Sequence, residues 1–457
     1  MEIDSNIFAK EKINKMLFKF AVPAIFALLV SELYNIVDTL YVAHYLGVTA
    51  LAAITIAFPI QKLLIALGLL VAVGTSTYAA RSLGEQNVTE FKKIVISSLS
   101  LVIVLLTVVS FIIFIFKKPI LFTLGASELT YPLVNKYVSI ILIGGVFQSL
   151  TAVACYIMIS LKKTKALLYT NLIGVTLNIV INYILIAMSG FGIEGAAIAT
   201  VISQITAFTF AFYKFKDVLK SFNIKLTLHS VYSSVSKEIL TSIITIGFST
   251  FIIEIEDALV SVVLNNILYA EGGESAIVMI GVITKVSMFL FVTIIGISSA
   301  MQPLAAYNFG AENYDKVKMV LSTSVKAAVI VSFAFWSVFM IFSNSIIGFF
   351  INDASLLHET AGAFRLCISL IPLTGIYYVG INYYQAIGEA KKSFLLSIYR
   401  EIIVFIPLSI LFVQLFGMKG VFAAYPITDS IAAITSYYLL NKTLKEDFHE
   451  VKVTEGI

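Results

Sequence analysis

The sequence predicts an all-α membrane protein with about 12 transmembrane helices in two pseudo-symmetric six-helix lobes. Three observations support this prediction: an apolar composition, long apolar runs along the whole chain, and motifs that return in the second half. Hydrophobic residues make up 59% of the chain, charged residues make up 13%, and the mean hydropathy is +0.97. Because soluble globular proteins carry about 25% charged residues, this composition indicates a chain embedded in a bilayer.

The apolar runs are each roughly twenty residues long, which is the length that a helix needs to cross about 30 Å of hydrocarbon. They do not alternate between polar and apolar residues, as the strands of a membrane barrel do. The predicted spans are 17–43, 51–80, 94–116, 134–160, 167–188, 195–213, 240–269, 275–306, 319–342, 360–387, 394–415 and 421–441.

The charged residues of the connections predict the orientation. An even number of spans places both termini on one side of the membrane, and most Lys and Arg residues of the connections fall on that side. Examples are Lys92, Lys162 and the lysines of the connection 214–237. This positive-inside bias predicts a multi-pass protein of the cell membrane with both termini in the cytoplasm.

Two motifs of the first half return in the second half. The turn after span 2, 83–87, resembles the turn 309–313 after span 8, and Gly192 between spans 5 and 6 has its counterpart at Gly417. Because the copies lie six spans apart, we expect the halves to be related by an axis along the membrane normal. The glycines of these turns, among them Gly84 and Gly310, are expected to adopt the left-handed conformation that ends a helix.

This duplication predicts the domain organisation. The N-terminal lobe is expected to comprise residues 1–220 with spans 1–6, and the C-terminal lobe residues 239–457 with spans 7–12. Residues 221–238 form the predicted cytoplasmic linker between the lobes.

Span 1 carries a polar stripe on one helical face, formed by Ser31, Tyr34, Asn35 and Asp38. A carboxylate at the centre of a membrane helix costs about 3 kcal/mol, so its presence requires an explanation. A polar stripe of this kind is typical of a helix that faces a wet cavity or the interior of a bundle. Asp38 is therefore a candidate functional carboxylate, and the alternative is a structural hydrogen-bonding residue.

Neutral polar residues lie in spans 5 and 6. Asn178 and Asn182 are one turn apart in span 5, and span 6 offers Thr200, Ser203 and Gln204. Such groups are typical of ordinary hydrogen bonds between membrane helices. Together with Asp38, they would instead form a site with one carboxylate and several neutral oxygens. That set suits either a Na⁺ ion at Asp38 or a protonated carboxyl group, and the sequence leaves both alternatives open.

The second half has its own polar cluster. Span 7 carries a stripe along one helical face: Glu254, Asp257, Ser261 and Asn265. Lys285 in span 8 is expected to neutralise one of these acids, because an unpaired buried charge is unfavourable. Tyr377 and Asn382 in span 10 would add an aromatic site for a flat organic cation, with tyrosines at the membrane interface as the alternative. Asp429 in span 12 is a further buried acid, for which the sequence indicates no partner.

The sequence shows no signature of an enzyme. The four histidines are scattered over connections and tails. The chain has no paired-histidine metal motif, no nucleophile elbow and no phosphate-binding glycine loop. We therefore expect no enzymatic activity and no cofactor, and transport would either depend on an ion gradient or be passive.

Several of these segments resemble one family of transporters. They are Asn35-Ile36-Val37-Asp38-Thr39, the two repeated turns, the Asn178–Asn182 pair, and Gly192-Ile193-Glu194-Gly195. The chain resembles the multidrug and toxic compound extrusion (MATE) transporters over nearly its whole length. The resemblance implies two six-helix lobes around a central cavity and export of cationic or amphipathic organic compounds in exchange for Na⁺ or H⁺. It also implies that Asp38 is the cation-coupling residue, with Asn178, Asn182 and Thr200 as its companions.

The chain departs from the family pattern at two places. Many relatives carry an aspartate at the position of Asn182, and its absence here favours a proton over Na⁺ at Asp38. An arginine-to-glycine turn usually follows span 4, where this chain has Lys162, whereas the second half keeps Gly388.

Two other functions are weaker alternatives. A lipid-linked sugar flippase of the wider superfamily would need basic residues along its cavity, whereas the intramembrane charges here are mostly acidic. A membrane scaffold without transport activity would not explain duplicated lobes with buried acids. The expected partners are small organic cations, H⁺ or Na⁺, and membrane lipid, but no nucleic acid, and we expect a monomer.

Overall fold

A computed structural model describes residues 12–351 and 353–454, except for the side chains of residues 34–36, 38–40, 48, 274 and 446–454. Within this part of the chain, all regular secondary structure is helical and no strand occurs. The predicted all-α fold is confirmed.

Seven helices form the first half of the described chain: α1 (Ile13–Gly84), α2 (Val88–Ile115), α3 (Lys117–Thr123), α4 (Tyr131–Ser160), α5 (Lys165–Asn182), α6 (Gly192–Ser221) and α7 (Leu228–Ser234). Eight helices form the second half: α8 (Lys237–Gly310), α9 (Tyr314–Ile341), α10 (Ser343–Ile347), α11 (Ala354–Ile368), α12 (Thr374–Ile387), α13 (Ala390–Ile398), α14 (Ile406–Phe416) and α15 (Met418–Thr454). A π-helical segment follows α5 and another joins α13 to α14.

Eleven helical segments in the described residues are long and apolar enough to cross a membrane. Two of them lie in α1 and two in α8, and each of these long helices contains a glycine with non-helical backbone angles, Gly47 (φ 79°) and Gly273 (φ 60°). The twelfth predicted span, 421–441, lies in α15 and is not among the eleven. The hydropathy of this segment is lower than that of the other spans because it contains Asp429 and several residues with hydroxyl groups, including Thr428 and Ser430.

The backbone conformation repeats between the two halves. Gly47 and Gly273, which are 226 residues apart, leave the helical conformation in the same way. α2 and α9 have 28 residues each, and each begins after an asparagine whose side chain caps the helix. These residues, Asn87 and Asn313, accept the backbone N–H three residues further on at 3.0 and 3.2 Å. The duplication predicted from the motifs is therefore a repeat of helix lengths, caps and kinks.

The left-handed residue of the repeated turn is not the one that the sequence predicted. Gly84 and Gly310 are still the last residues of α1 and α8, whereas Gln86 (φ 58°) and Glu312 (φ 56°) are left-handed. The physical reason is the Schellman motif, in which the N–H of the following asparagine donates to the carbonyl five residues before it, at 2.9 Å in both turns. That hydrogen bond places the residue before the asparagine in the left-handed region.

Lys162 at the end of α4 is left-handed (φ 63°), whereas the second half has Gly388 (φ 85°) at the end of α12. A side chain in this conformation costs about 1 kcal/mol, which glycine avoids. We expect Lys162→Gly to raise the free energy of unfolding by about 1 kcal/mol, seen as a higher midpoint of thermal unfolding of the purified protein. Lys163→Gly is the control because Lys163 does not have a positive φ. Equal midpoints for the two variants would contradict this explanation.

The described residues divide into two compact units. The first is Phe26–Ile255, and the second comprises the described residues of Glu11–Ile25 and Glu256–Ile457. The boundary inside α8 assigns the first part of this helix to the unit that contains α2–α7. The second unit has an apolar core in which Leu290, Phe364 and Phe422 are buried together.

Candidate functional site

A chain of buried side-chain hydrogen bonds joins α5 to α6 in the first unit. Asn182 donates from Nδ2 to Oδ1 of Asn178 (3.0 Å), and Asn178 donates from Nδ2 to Oγ1 of Thr200 (3.4 Å). All three residues are at most 2% exposed. The two asparagines meet because they are four residues apart on one helix, and the packing of α5 on α6 brings Thr200 to them. The structure therefore brings together three of the four residues that were predicted to form the coupling site.

The fourth residue of that predicted site is Asp38. It lies in α1, together with Tyr34 and Asn35, in a stretch whose backbone is helical. The side chains of these three residues lie outside the part of the chain whose side chains the structure describes. Their contacts stay a prediction.

Ser203 and Gln204 lie next on α6, and both are engaged within the protein. Ser203 donates to the carbonyl of Ala199 in its own helix (2.7 Å). Gln204 donates from Nε2 to Oε1 of Gln148 on α4 (3.0 Å). Gln148 was missed by sequence reasoning, although an amide within an otherwise apolar span was a usable signal. This pair of glutamines links α4 to α6 beside the asparagine chain.

An ion pair joins α1 to α8 within the first unit. Nζ of Lys62 lies 3.2 Å from Oε2 of Glu254, and the two side chains are 23% and 25% exposed. Lys62 lies about 20 Å from the Thr49 end of its span, and Glu254 is near the middle of Lys237–Gly273. Opposite charges at this depth offset part of the cost of placing each of them in hydrocarbon.

This pair corrects the partner that was predicted for the acids of span 7. Lys285 is exposed and forms no ion pair with an acid whose side chain the structure describes. Glu254 is neutralised by Lys62, which lies 192 positions away in the sequence. The prediction was wrong because Lys285 was chosen for its presence in the adjacent span, whereas the helix that packs against Glu254 comes from the first half.

The other residues of the predicted span-7 stripe lie at the surface of the second unit. Asp257, Ser261 and Asn265 are exposed, and Ser261 donates to the carbonyl of Asp257 (2.8 Å). The buried acid of this helix is Glu256, which is 5% exposed. Its Oε2 has no hydrogen-bond partner among the described residues. Helical periodicity grouped the stripe correctly on one face, but periodicity does not show which face is buried.

The predicted residues of span 10 make contacts within the second unit. Tyr377 is 2% exposed, and its hydroxyl donates to the carbonyl of Leu396 (2.5 Å). Asn382 donates to Oγ of Ser298 (3.3 Å) and to the carbonyl of Tyr378 (3.0 Å). These hydrogen bonds link α12 to α8 and α13. Cation binding by this aromatic cluster stays a prediction.

A second ion pair is fully enclosed in the second unit. Arg400 donates from Nε (3.0 Å) and Nη2 (2.7 Å) to Oδ1 of Asp429, and its Nη1 contacts the carboxylate of Glu401. The side chains of Arg400 and Asp429 are 4% and 0% exposed. The ring of Phe291 lies 5.4 Å from the guanidinium. Arg400 is the partner that sequence reasoning did not find for Asp429, although it is the only arginine in the predicted span 394–415.

A duplicated set of membrane-spanning helices with amide networks and ion pairs at hydrocarbon depth is typical of multi-pass membrane transporters. A family model described as MatE matches residues 23–184 and 246–411, which together make up most of the chain. The chain belongs to the MatE family. The resemblance seen in the sequence is confirmed, and the chain is a transporter of a multidrug efflux family, not an enzyme.

Individual relatives match along almost the whole chain. Multidrug export protein MepA of Staphylococcus aureus (strain NCTC 8325 / PS 47) is 27% identical over 450 residues, which cover 97% of this chain and 98% of the relative. A crystal structure of MATE in complex with MaL6 has a TM-score of 0.90 at 24% identity, covering 96% of this chain and 98% of that one. An outward-facing multidrug resistance MATE family transporter of the MOP superfamily has a TM-score of 0.90 at 24% identity, covering 95% and 97%. At this identity, the solved structures support the fold.

Proposed function

We propose that this transporter is an antiporter that exports cationic or amphipathic organic compounds across the cell membrane by alternating access. Uptake of H⁺ or Na⁺ at Asp38 drives the export. The observation that carries this proposal is the buried Asn182–Asn178–Thr200 chain in the first unit. The name of the relative MepA, a multidrug export protein, supports the class of substrate.

The register between α1 and α5 supports Asp38 as a neighbour of this chain. Asn171 on α5 donates from Nδ2 to the carbonyl of Ala27 on α1 (3.0 Å), which fixes the two helices relative to each other at that level. Both helices are odd-numbered spans and therefore run in the same direction. Eleven residues further, which is about 16 Å along each helix, α5 has reached Asn182 and α1 has reached Asp38. The backbone of Asp38 is thus expected at the level of Asn182.

The neutral residues of the chain favour a proton over Na⁺ as the coupling ion. Asn178, Asn182 and Thr200 carry no charge, so Asp38 would be the only carboxylate beside this chain, and a Na⁺ ion would find a single negative charge there. A carboxyl group that takes up a proton becomes neutral and needs no additional ligands. With both termini in the cytoplasm, protonation of Asp38 from the outside would favour release of the substrate. Loss of the proton to the cytoplasm would restore substrate binding, because ion and substrate differ in affinity between the two states.

Transport into proteoliposomes tests this proposal. An imposed pH gradient should drive ethidium movement by the wild type, and Asp38→Asn should abolish the gradient-driven component because an amide cannot take up a proton. Glu194→Gln is the matched control, since it removes one carboxylate from an exposed ion pair with Lys136 in the same unit, where such pairs contribute little. A separate Na⁺ gradient distinguishes the two ions.

Two outcomes would contradict the proposal at different points. Undiminished gradient-driven transport by Asp38→Asn would rule out coupling through this residue. If neither gradient drives movement of ethidium by the wild type, cation-coupled export itself is wrong.

A further inference from the structure

The Lys62–Glu254 pair holds a positive charge in surroundings that suit a cationic ligand. The ammonium of Lys62 lies 3.2 Å from a carboxylate oxygen of Glu254 and 6.0 Å from the centre of the Phe58 ring. A carboxylate beside an aromatic face is the combination with which proteins bind organic cations. The ammonium group of Lys62 already occupies the position beside Glu254, so this position accepts a positive charge at hydrocarbon depth.

The Lys62–Glu254 pair is accessible, in contrast to the enclosed pair of Arg400 and Asp429. Lys62 and Glu254 keep 23% and 25% of their side-chain surface exposed, and Phe58 is 43% exposed. Arg400 and Asp429 are 4% and 0% exposed. An enclosed pair is part of the packing, whereas an accessible pair can exchange one of its partners for a ligand of the same charge.

The chemistry of lysine suits such an exchange. Lysine carries a compact charge on a flexible four-carbon stem, whereas the planar guanidinium of arginine binds a carboxylate with two parallel hydrogen bonds. Lys62 shares a single N–O contact with Glu254, whereas Arg400 uses two nitrogens for one oxygen of Asp429. Withdrawal of Lys62 would leave Glu254 and Phe58 in place for another cation.

We propose that Lys62 is a tethered competitor that occupies the carboxylate of Glu254 in the substrate-free protein, and that a cationic substrate must displace it. The proposal rests on the export of cationic compounds proposed above and names Glu254 and Phe58 as the contacts for the positive group. Lys62 then sets an affinity threshold, because every cation must displace it and binds with an apparent affinity that is lowered accordingly. After substrate release, Lys62 returns and Glu254 is never left as an unpaired charge in the membrane.

Binding of tetraphenylphosphonium, a permanently charged aromatic cation, to the purified full-length protein tests this proposal by isothermal titration calorimetry. Lys62→Gln removes the competitor and should tighten binding by about tenfold. Glu254→Gln should weaken it by about tenfold or more. Lys117→Gln is the matched control, because Lys117 also lies over a ring, that of Phe114 at 4.3 Å, but donates to Ser139 and not to an acid. Its affinity should equal that of the wild type.

Lys62→Arg makes the test independent of whether the glutamine variant folds. It keeps the charge and can bind the carboxylate with two hydrogen bonds, so tetraphenylphosphonium should bind more weakly than to the wild type. Weaker binding to Lys62→Arg together with tighter binding to Lys62→Gln would support competition. Unchanged or weaker binding to a folded Lys62→Gln, or no binding to any variant, would overturn it.

A charge swap separates competition from a purely structural pair. In Lys62→Glu/Glu254→Lys the pair is restored with its ends exchanged. Competition predicts that thermal stability returns without wild-type affinity for tetraphenylphosphonium, because position 254 no longer carries the carboxylate. Recovery of both would show a purely structural pair and would overturn the proposal. The titration uses no ion gradient, so its result is distinguishable from that of the transport assay. Gradient-driven ethidium export together with unchanged affinity in Lys62→Gln would overturn the role of Lys62 and leave the proposed function intact.

Discussion

Replacing Arg400 with leucine should lower the free energy of unfolding by about 3–5 kcal/mol. The substitution leaves the carboxylate of Asp429, which is 0% exposed, without the guanidinium that donates two hydrogen bonds to it. It also leaves Glu401 without its contact to Nη1. Taking one partner away from a buried ion pair costs far more than the pair itself contributes, because the remaining charge keeps the full cost of its desolvation.

The double variant Arg400→Leu/Asp429→Leu is the informative comparison. It removes both members of the enclosed pair and should recover a large part of the lost stability, since apolar side chains of similar volume are well tolerated at such positions. Asp429→Leu alone should cost less than Arg400→Leu, because Arg400 keeps Glu401 as a partner. Midpoints of thermal unfolding in detergent measure the whole cycle. The loss of one partner of a buried pair typically costs about 3–5 kcal/mol. A free energy of unfolding for Arg400→Leu that lies within about 1 kcal/mol of the wild type would therefore contradict this explanation.

The apolar runs made the fold predictable, because hydrocarbon thickness fixes the length of each span and leaves few alternatives. The repeated turns made the duplication predictable, and the structure shows it in kinks and caps as well as in the motifs. The twelfth span was harder to judge from composition. Asp429 and the neighbouring residues with hydroxyl groups lower the hydropathy of α15. In the structure, however, the carboxylate of Asp429 is buried and forms an ion pair with Arg400.

Local spacing identified polar partners when they share a helix or lie on adjacent helices. Asn178 and Asn182 are one turn apart, and Thr200 lies on the next helix along the chain. The partner of Glu254 could not be found in this way, since Lys62 comes from a helix in the other half of the sequence. Periodicity assigns a residue to a face of its own helix, but which helix packs on that face is decided by the tertiary arrangement.

The same two helices meet at a seam that depends on glycine. Within the first unit, a Cβ atom at Gly247 on α8 would lie 1.8 Å from the carbonyl oxygen of Leu70 on α1. A Cβ atom at Gly74 would lie 2.0 Å from the carbonyl oxygen of Ile243. Because both obstacles are backbone atoms, no side-chain rotation can relieve the overlap, and the helices would have to separate. Small residues at such crossings are typical of close packing between membrane helices.

We therefore expect Gly247→Ala to lower the free energy of unfolding by about 3 kcal/mol, the upper end of the usual cost of overpacking. Gly281→Ala is the control on the same helix, because a Cβ atom there meets nothing within 4 Å. An alanine should be slightly stabilising at that position, since it has the higher helix propensity. The midpoints of thermal unfolding should shift in opposite directions. If both variants shift the midpoint in the same direction and by the same amount, the close backbone contact at Gly247 does not determine the loss of stability.

The seam also bears on the Lys62–Glu254 pair. Three contacts between α1 and α8 follow one antiparallel register: Gly74 with Ile243, Leu70 with Gly247, and Lys62 with Glu254. The ion pair is thus about 10 Å along the same crossing from Gly247. An added methyl group at Gly247 that pushes the helices apart should also lengthen the Nζ–Oε2 contact and weaken the hold of Lys62 on Glu254. If Lys62 is a competitor, a folded fraction of Gly247→Ala should bind tetraphenylphosphonium more tightly than the wild type despite its lower stability, whereas Gly281→Ala should leave the affinity unchanged.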